Sequence, residues 1–450
     1  MDEGVKTTLK FMIELAEVKQ YVAAFDRAKE RVKAEPSWLR SLREEAMSHF
    51  AVTGFPVRKE EAWRYTDVSM IRDSIFECDE EAAESVPHEI DAFRKSHQGH
   101  FLFFLNGKYL KADSQAPQGV QVLDLGQASL LEPALLEKDL ARHADPKQNA
   151  FISLNTALWR QGILIRFPEG LILKEPVHLV FWSSPRQDHT AFYSRVLIQM
   201  EKGSRATLAE YYRELNDKSY LTNSVSEIVL HENAELKRYK IQQESLNAFH
   251  VASTEVVQER SSRFTSLAVS LGSQWMRDEC RVRLAGEGAR SILNGLYLAD
   301  GQQFLDHHIF VDHQVPECQG RQLFKGILVG RSHGVFSGKV LVRQDAQKTD
   351  AKQTNKNLLL SDEAKIDTQP QLEILADDVK CSHGATVGQL DEDSIFYLKS
   401  RGIGERKAGQ MLAEGFVKEL TDSVFPDLLR EELNGLVAEK LERQLSDHKD

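Results

Sequence analysis

The chain has 450 residues, 28% of them charged and 41% hydrophobic, with a formal net charge of -11. That length exceeds one compact core and calls for two or three domains, or for one elongated repeat domain with caps. The acidic balance argues against nucleic-acid backbones as partners, and no apolar run approaches the roughly 20 residues that span a bilayer.

The N-terminus, MDEGVKTTLKFMIELAEVKQ, carries acidic residues and lacks the apolar stretch of a secretory signal, so a cytoplasmic chain is expected. Cys78, Cys280, Cys318 and Cys381 are scattered, with no CxxC pair. They read as reduced thiols rather than a disulfide framework.

Residues 9–34, LKFMIELAEVKQYVAAFDRAKERVKA, have apolar side chains at helical spacing and neither Gly nor Pro. A second helix is predicted over 37–54, SWLRSLREEAMSHFAVTG, ending at Gly54. The stretch from about 78 to 98 is acidic and polar and reads as a linker. FLFFLNGKYL then predicts two strands turning at Asn106-Gly107.

From about residue 160 short apolar runs recur, among them GILIRF, SRVLIQM, SEIVLH, RFTSLAVSL, LFKGILVG and KNLLLS. Polar or Gly-containing turns such as ENAE (232–235) and GEGA (286–289) separate them. No long amphipathic helix interrupts the series, which argues against alternating βα units. A large sandwich or barrel and a β-solenoid both fit, and the length favours the solenoid, whose open ends need capping or a partner. From about 391 the pattern returns to helix, broken near Gly402 and Gly404. Beyond Pro426, residues Leu428, Leu429, Leu433, Leu436, Val437, Leu441 and Leu445 form one apolar stripe. It packs on the preceding helix or docks a partner.

Nucleotide motifs are weak. GVFSGKV (334–340) has the wrong spacing for a P-loop, and GIGERKAG (402–409) lacks the third glycine of a dinucleotide fingerprint. DHHIFVDHQVPEC (306–318) gathers Asp306, His307, His308, Asp312, His313 and Cys318. On a strand, however, His307 and His313 share one face, while Asp306, His308 and Asp312 share the other. Structural histidines therefore compete here with a metal or substrate site. In KCSHGATVG (380–388), Cys381 and His383 point the same way on an extended chain. Two soft ligands are too few for a stable metal site, which leaves buried packing or a half-site completed by another chain. Two other function classes remain in play. One is a β-helix carbohydrate lyase or hydrolase using Asp306, Asp312, Arg343 and Asp345. The other is a zinc hydrolase built on the histidines.

Several runs between about 305 and 416 carry a resemblance. They are LDHHIFVDHQVPECQGRQLFKGIL, then VFSGKVLVRQDAQKTDAKQTNKNLLLSDEAKIDTQPQLEILADDVKCSHGATVG, then IFYLKSRGI, with EEAWRYTD (60–67) near the N-terminus. Together they resemble the SufB/SufD family of the SUF iron–sulfur cluster assembly system. The resemblance implies a mainly β protein. A right-handed parallel β-helix over 101–390 would be flanked by helical domains at 1–100 and 391–450. It implies a non-catalytic scaffold that pairs with a SufB-like paralogue through the β-helix ends. The C-terminal domain would dock a SufC-like ABC ATPase, so this chain itself would bind no nucleotide. It implies that His383, supported by Cys381, helps hold a nascent Fe–S cluster, transiently and with partner-chain ligands. Gly384 and the order CSHGA favour the subunit that pairs with SufB over SufB itself. The same open ends allow a homodimer when the chain is isolated, and nothing implies nucleic acid or membrane as a partner.

Overall fold

The computed structural model describes residues 18–29, 35–78 and 86–446. The chain is mainly β, with a parallel β-solenoid core of about eight turns and helices toward both termini. Each coil contributes one strand to each of two ten-stranded sheets, so strands alternate between sheets along the chain. Successive coils stack in parallel register. Gln322, for example, lies beside Gln353 one coil and 31 residues later, and Gln353 Nε2 donates to Gln322 Oε1 at 2.8 Å.

Parallel strands covered on both faces read as continuous apolar runs rather than alternating ones. Strands Thr190–Met200 and Tyr220–Leu230 accordingly have every residue buried. Their inner faces meet in the solenoid core, where Val196, Ile198, Ile228 and Leu230 pack with Leu208 and Leu236 from the opposite sheet. The inner face is not wholly apolar. Arg238 forms a buried two-bonded pair with Glu210 on the next strand, and Lys240 reaches Asp278 in the other sheet at 3.0 Å.

The two outer faces are covered differently. Residues 18–29 are helical, as expected for part of 9–34; the remainder of that segment lies outside the described residues. This helix and helices Ser37–Thr53 and Ala150–Leu158 pack on the first sheet through Tyr21, Phe50, Phe151 and Leu154. The C-terminal helices Glu405–Thr421 and Asp427–Ser446 lie on the second sheet. Leu429, Leu433, Val437 and Leu441 of the apolar stripe are buried there with Tyr211, Tyr239, Leu267 and Leu296. The stripe is thus satisfied mainly by the solenoid flank as well as by the preceding helix; Leu428 stays exposed, and the Leu445 side chain lies outside the described residues.

Two local departures have physical causes. The polar stretch after 78 contains a helix, Pro87–Ser96, whose Ile90 and Phe93 bury against Phe101, Phe103 and Tyr211. Short helices Leu125–Leu131 and Pro133–Asp139 fall between strands Gln121–Asp124 and Ile163–Phe167, each started by a local cap or proline. The Asn106-Gly107 turn forms as predicted, both residues having positive φ between strands His100–Leu105 and Lys108–Tyr109. That hairpin closes the N-terminal end of the second sheet. At the other end, strands Lys365–Ile374 and Lys380–Gly388 are last in their sheets, and most of the final strand is exposed.

Candidate functional site at the open end of the solenoid

Cys381 and His383 lie on that final strand. Cys381 pairs in register with Ala351 and His383 with Gln353, so both continue a row of inward-facing positions. One coil earlier those positions are buried, Ala351 at 2% and Gln353 at 1% exposure. On the terminal coil no further rung covers them among the described residues. His383 is exposed and Cys381 half-buried beside Val342, Ala346 and Ala376. Burial pushes the Cys381 thiol up, and the Asp350 carboxylate adds to the effect. Within this chain alone the thiol is therefore held protonated, not activated as a nucleophile or ligand. No group of three or more metal-ligating side chains converges among the described residues. The chain brings two soft donors to one uncovered edge and stops there.

The histidine-rich strand Phe304–His313 behaves as its alternation predicts. His307 points inward, its Nε2 at 3.2 Å from Ser270 Oγ. His313 is fully buried with neither ring nitrogen bonded among the described residues. Burial lowers both to about 4, so they are neutral packing groups. Cys318 is buried, its thiol 3.5 Å from the Gly286 and Pro316 carbonyl oxygens and pushed up to about 11 by burial.

The opposite face serves another end. Asp306 accepts from Thr66 at 2.7 Å and from Arg277, whose guanidinium also bonds Glu279 and lies 3.9 Å from the Trp63 ring. Arg277 donates further to the Ala62 carbonyl, and Trp275 Nε1 to the Asp67 carbonyl, each at 3.0 Å. The EEAWRYTD element is thus a clasp that fastens the N-terminal helices to the coils. Its role depends on residues more than two hundred positions away, which no local motif reveals. The residues that a carbohydrate-cleaving site would use are committed elsewhere. Asp306 lies under the clasp, Asp312 is held by two guanidinium nitrogens of Arg343 at 2.8–2.9 Å, and Asp345 is exposed on the surface. GVFSGKV lies inside strand His333–Val342, so it forms no phosphate loop.

Most of the chain matches two family descriptions. Residues 15–179 match "SufBD protein N-terminal region", and residues 181–416 match "SUF system FeS cluster assembly, SufBD core domain". The chain belongs to the SufBD family. Its relatives include Escherichia coli iron–sulfur cluster assembly protein SufD, 31% identical over 86% of this chain and 90% of that one. A Synechocystis iron–sulfur cluster assembly SufBD family protein is 32% identical over 87% and 88% respectively. Bacillus subtilis SufB is 25% identical over 92% and 91%. This SufBD protein is accordingly a SufD homologue of the SUF system. No helix among its described residues is long and apolar enough to cross a membrane.

One surface escaped the sequence reading. Helix Glu392–Ser400, from the IFYLKSRGI run, has no buried residue, and Phe396 and Tyr397 are 73% and 57% exposed. Two adjacent aromatics on a short helix flanked by charged residues are the signal that would have singled it out.

Proposed function

We propose that this SufBD protein is the SufD-type scaffold subunit of a cytoplasmic SUF complex, itself without catalytic activity. Its last coil pairs with a SufB-like paralogue, and His383 with Cys381 contributes to a nascent Fe–S cluster completed by partner ligands. The cluster is cargo that is built and passed on. The observation that carries this reading is the position of both donors on an inward-facing row left uncovered at the terminal coil. A strand added across that edge would satisfy its free backbone groups and cover the pair. A liganding metal would reverse the protonated bias of Cys381, because coordination requires thiolate. The exposed aromatics of helix Glu392–Ser400 suit a SufC-like ATPase, which would supply the nucleotide chemistry this chain lacks motifs for. The four free cysteines accord with a reducing compartment.

The test is anaerobic co-expression with a SufB-like and a SufC-like subunit. His383→Ala is expected to leave the complex assembled but to reduce cluster formation at least tenfold, read by iron and sulfide content and by absorbance. Full cluster yield in the variant would remove His383 from the site, and failure of the wild type to bind either subunit would remove the scaffold reading.

Gly384 gives a second prediction. A Cβ at this position would meet nothing within 4 Å, so the isolated fold does not need glycine there. Gly384→Ala is expected to change the stability of the isolated chain by less than ~1 kcal/mol, alanine being the better strand residue. The same variant is expected to weaken binding of the SufB-like partner, measured by titration. Unchanged binding would show that the partner's backbone does not approach Gly384 closely.

A further inference from the structure

A cavity of about 690 Å³ lies between the turns that follow strands Arg205–Glu214 and Glu235–Gln242 and the last helix, Asp427–Ser446. It is far from Cys381 in the coil stack and belongs to no function argued above. Its size suits a small molecule.

Most charges on its wall are already matched. Lys440 Nζ sits 2.8 Å from Asp300 and 3.1 Å from the Gln303 amide oxygen. Glu244 faces His250 at 2.6 Å and accepts from Thr222 at 2.6 Å. Glu214 and Asp217, which also line the cavity, have no ion-pair partner among the described residues. Burial, followed by the neighbouring Glu244 and Asp217 carboxylates, pushes Glu214 up to about 7. The crowded acidic groups here favour a ligand that brings positive charge.

The second observation is independent of charge. Gln444 on the last helix lines the cavity at 1% exposure, and neither its amide oxygen nor its amide nitrogen has a partner among the described residues. Gln243 Oε1 and Glu214 Oε2 are likewise buried without a donor among the described residues. Native interiors seldom leave such groups unpaired, and here three oxygens and one NH₂ group surround one space. We infer that this cavity binds a small organic cation bearing amine groups, whose N–H donors bond Glu214, Gln243 and Gln444. An amine offers several donors and a positive charge at once, which is what a wall rich in acceptors and poor in free cations selects. A bare divalent cation suits it less, since only one of the three oxygens is a carboxylate and no group of three or more His, Cys, Asp or Glu side chains forms among the described residues.

The experiment is isothermal titration of the full chain with spermidine and, separately, with 1,4-diaminobutane and with magnesium chloride. One saturable amine site per chain is expected, with no comparable heat from magnesium. Glu214→Gln is close in shape and is expected to weaken amine binding at least tenfold, and Gln444→Leu at least fivefold. Circular dichroism melting checks that both variants fold. Absence of saturable amine binding to the wild type overturns the inference. So does equal affinity in folded Glu214→Gln, or stoichiometric magnesium binding that competes with spermidine.

Discussion

Replacing Arg277 with methionine is expected to cost about 3–5 kcal/mol of folding free energy, the magnitude typical of breaking one side of a buried ion pair. Arg277 is 1% exposed and is shared by two buried carboxylates, Asp306 and Glu279. Burial alone would raise Glu279, but Arg277 and its neighbours outweigh that and hold it down to about 2. Methionine keeps most of the packing volume, so the loss reports charge and hydrogen bonding. Both carboxylates would be stranded, Trp63 would lose its cation, and the Ala62 carbonyl its donor. The N-terminal helices should then loosen from the coils before the coils themselves unfold. Urea titration should show the stability loss. Hydrogen exchange should show faster opening over 60–67 than over the strands Thr190–Met200 and Tyr220–Leu230. A loss below ~1 kcal/mol would mean that the clasp is held by apolar contacts and not by Arg277. The double substitution Arg277→Met with Asp306→Leu should recover part of the loss, since one stranded charge is removed with its partner.

That clasp also marks the boundary of what the chain's own letters convey. Features decided within a few residues were readable. Asn106-Gly107 supplies the positive φ that its turn needs, Gly402 and Gly404 break the C-terminal helices where expected, and alternation assigns His307 and Asp306 to opposite faces. The paired direction of Cys381 and His383 followed from the same two-residue period. Features decided between coils were not readable. Strand Glu235–Gln242, ELKRYKIQ, is rich in basic residues, yet Arg238 and Lys240 point inward because Glu210 and Asp278 lie 28 and 38 residues away to receive them. Helix Pro87–Ser96 looks like linker because few apolar residues, Ile90 and Phe93 among them, hold it down. That the final coil is uncovered is likewise a property of stacking. It is what turns two adjacent soft ligands from packing into an edge.

Acid should destabilise the protein, and His313 allows one contribution to be isolated. His313 is fully buried in the coil interior, and burial lowers it to about 4 from an ordinary value near 6.5. Above pH 6.5 the imidazole is neutral in both states and the shift has no effect. Below it the unfolded chain takes up a proton that the folded chain refuses, so stability falls until the pH reaches the folded value. Across that window the loss is roughly 3 kcal/mol, at about 1.4 kcal/mol per pH unit. His178 and His307, also lowered to about 4 by burial, act in the same direction. Glu255 and Glu214 act oppositely, because burial raises them to about 8 and about 7 and their contribution grows as pH falls toward the unfolded carboxyl value. The total pH profile therefore mixes signs, and a difference measurement is the cleaner one. His313→Leu removes one depressed imidazole whose ring nitrogens have no partner among the described residues. The stability of the variant relative to the wild type should rise by about 2 kcal/mol between pH 6.5 and pH 5. Urea midpoints at the two pH values give that number directly, with the other titrating groups cancelling between the two proteins. A constant difference would mean that His313 is solvated in the folded state or protonated without cost, and that the coil interior at this level is wet.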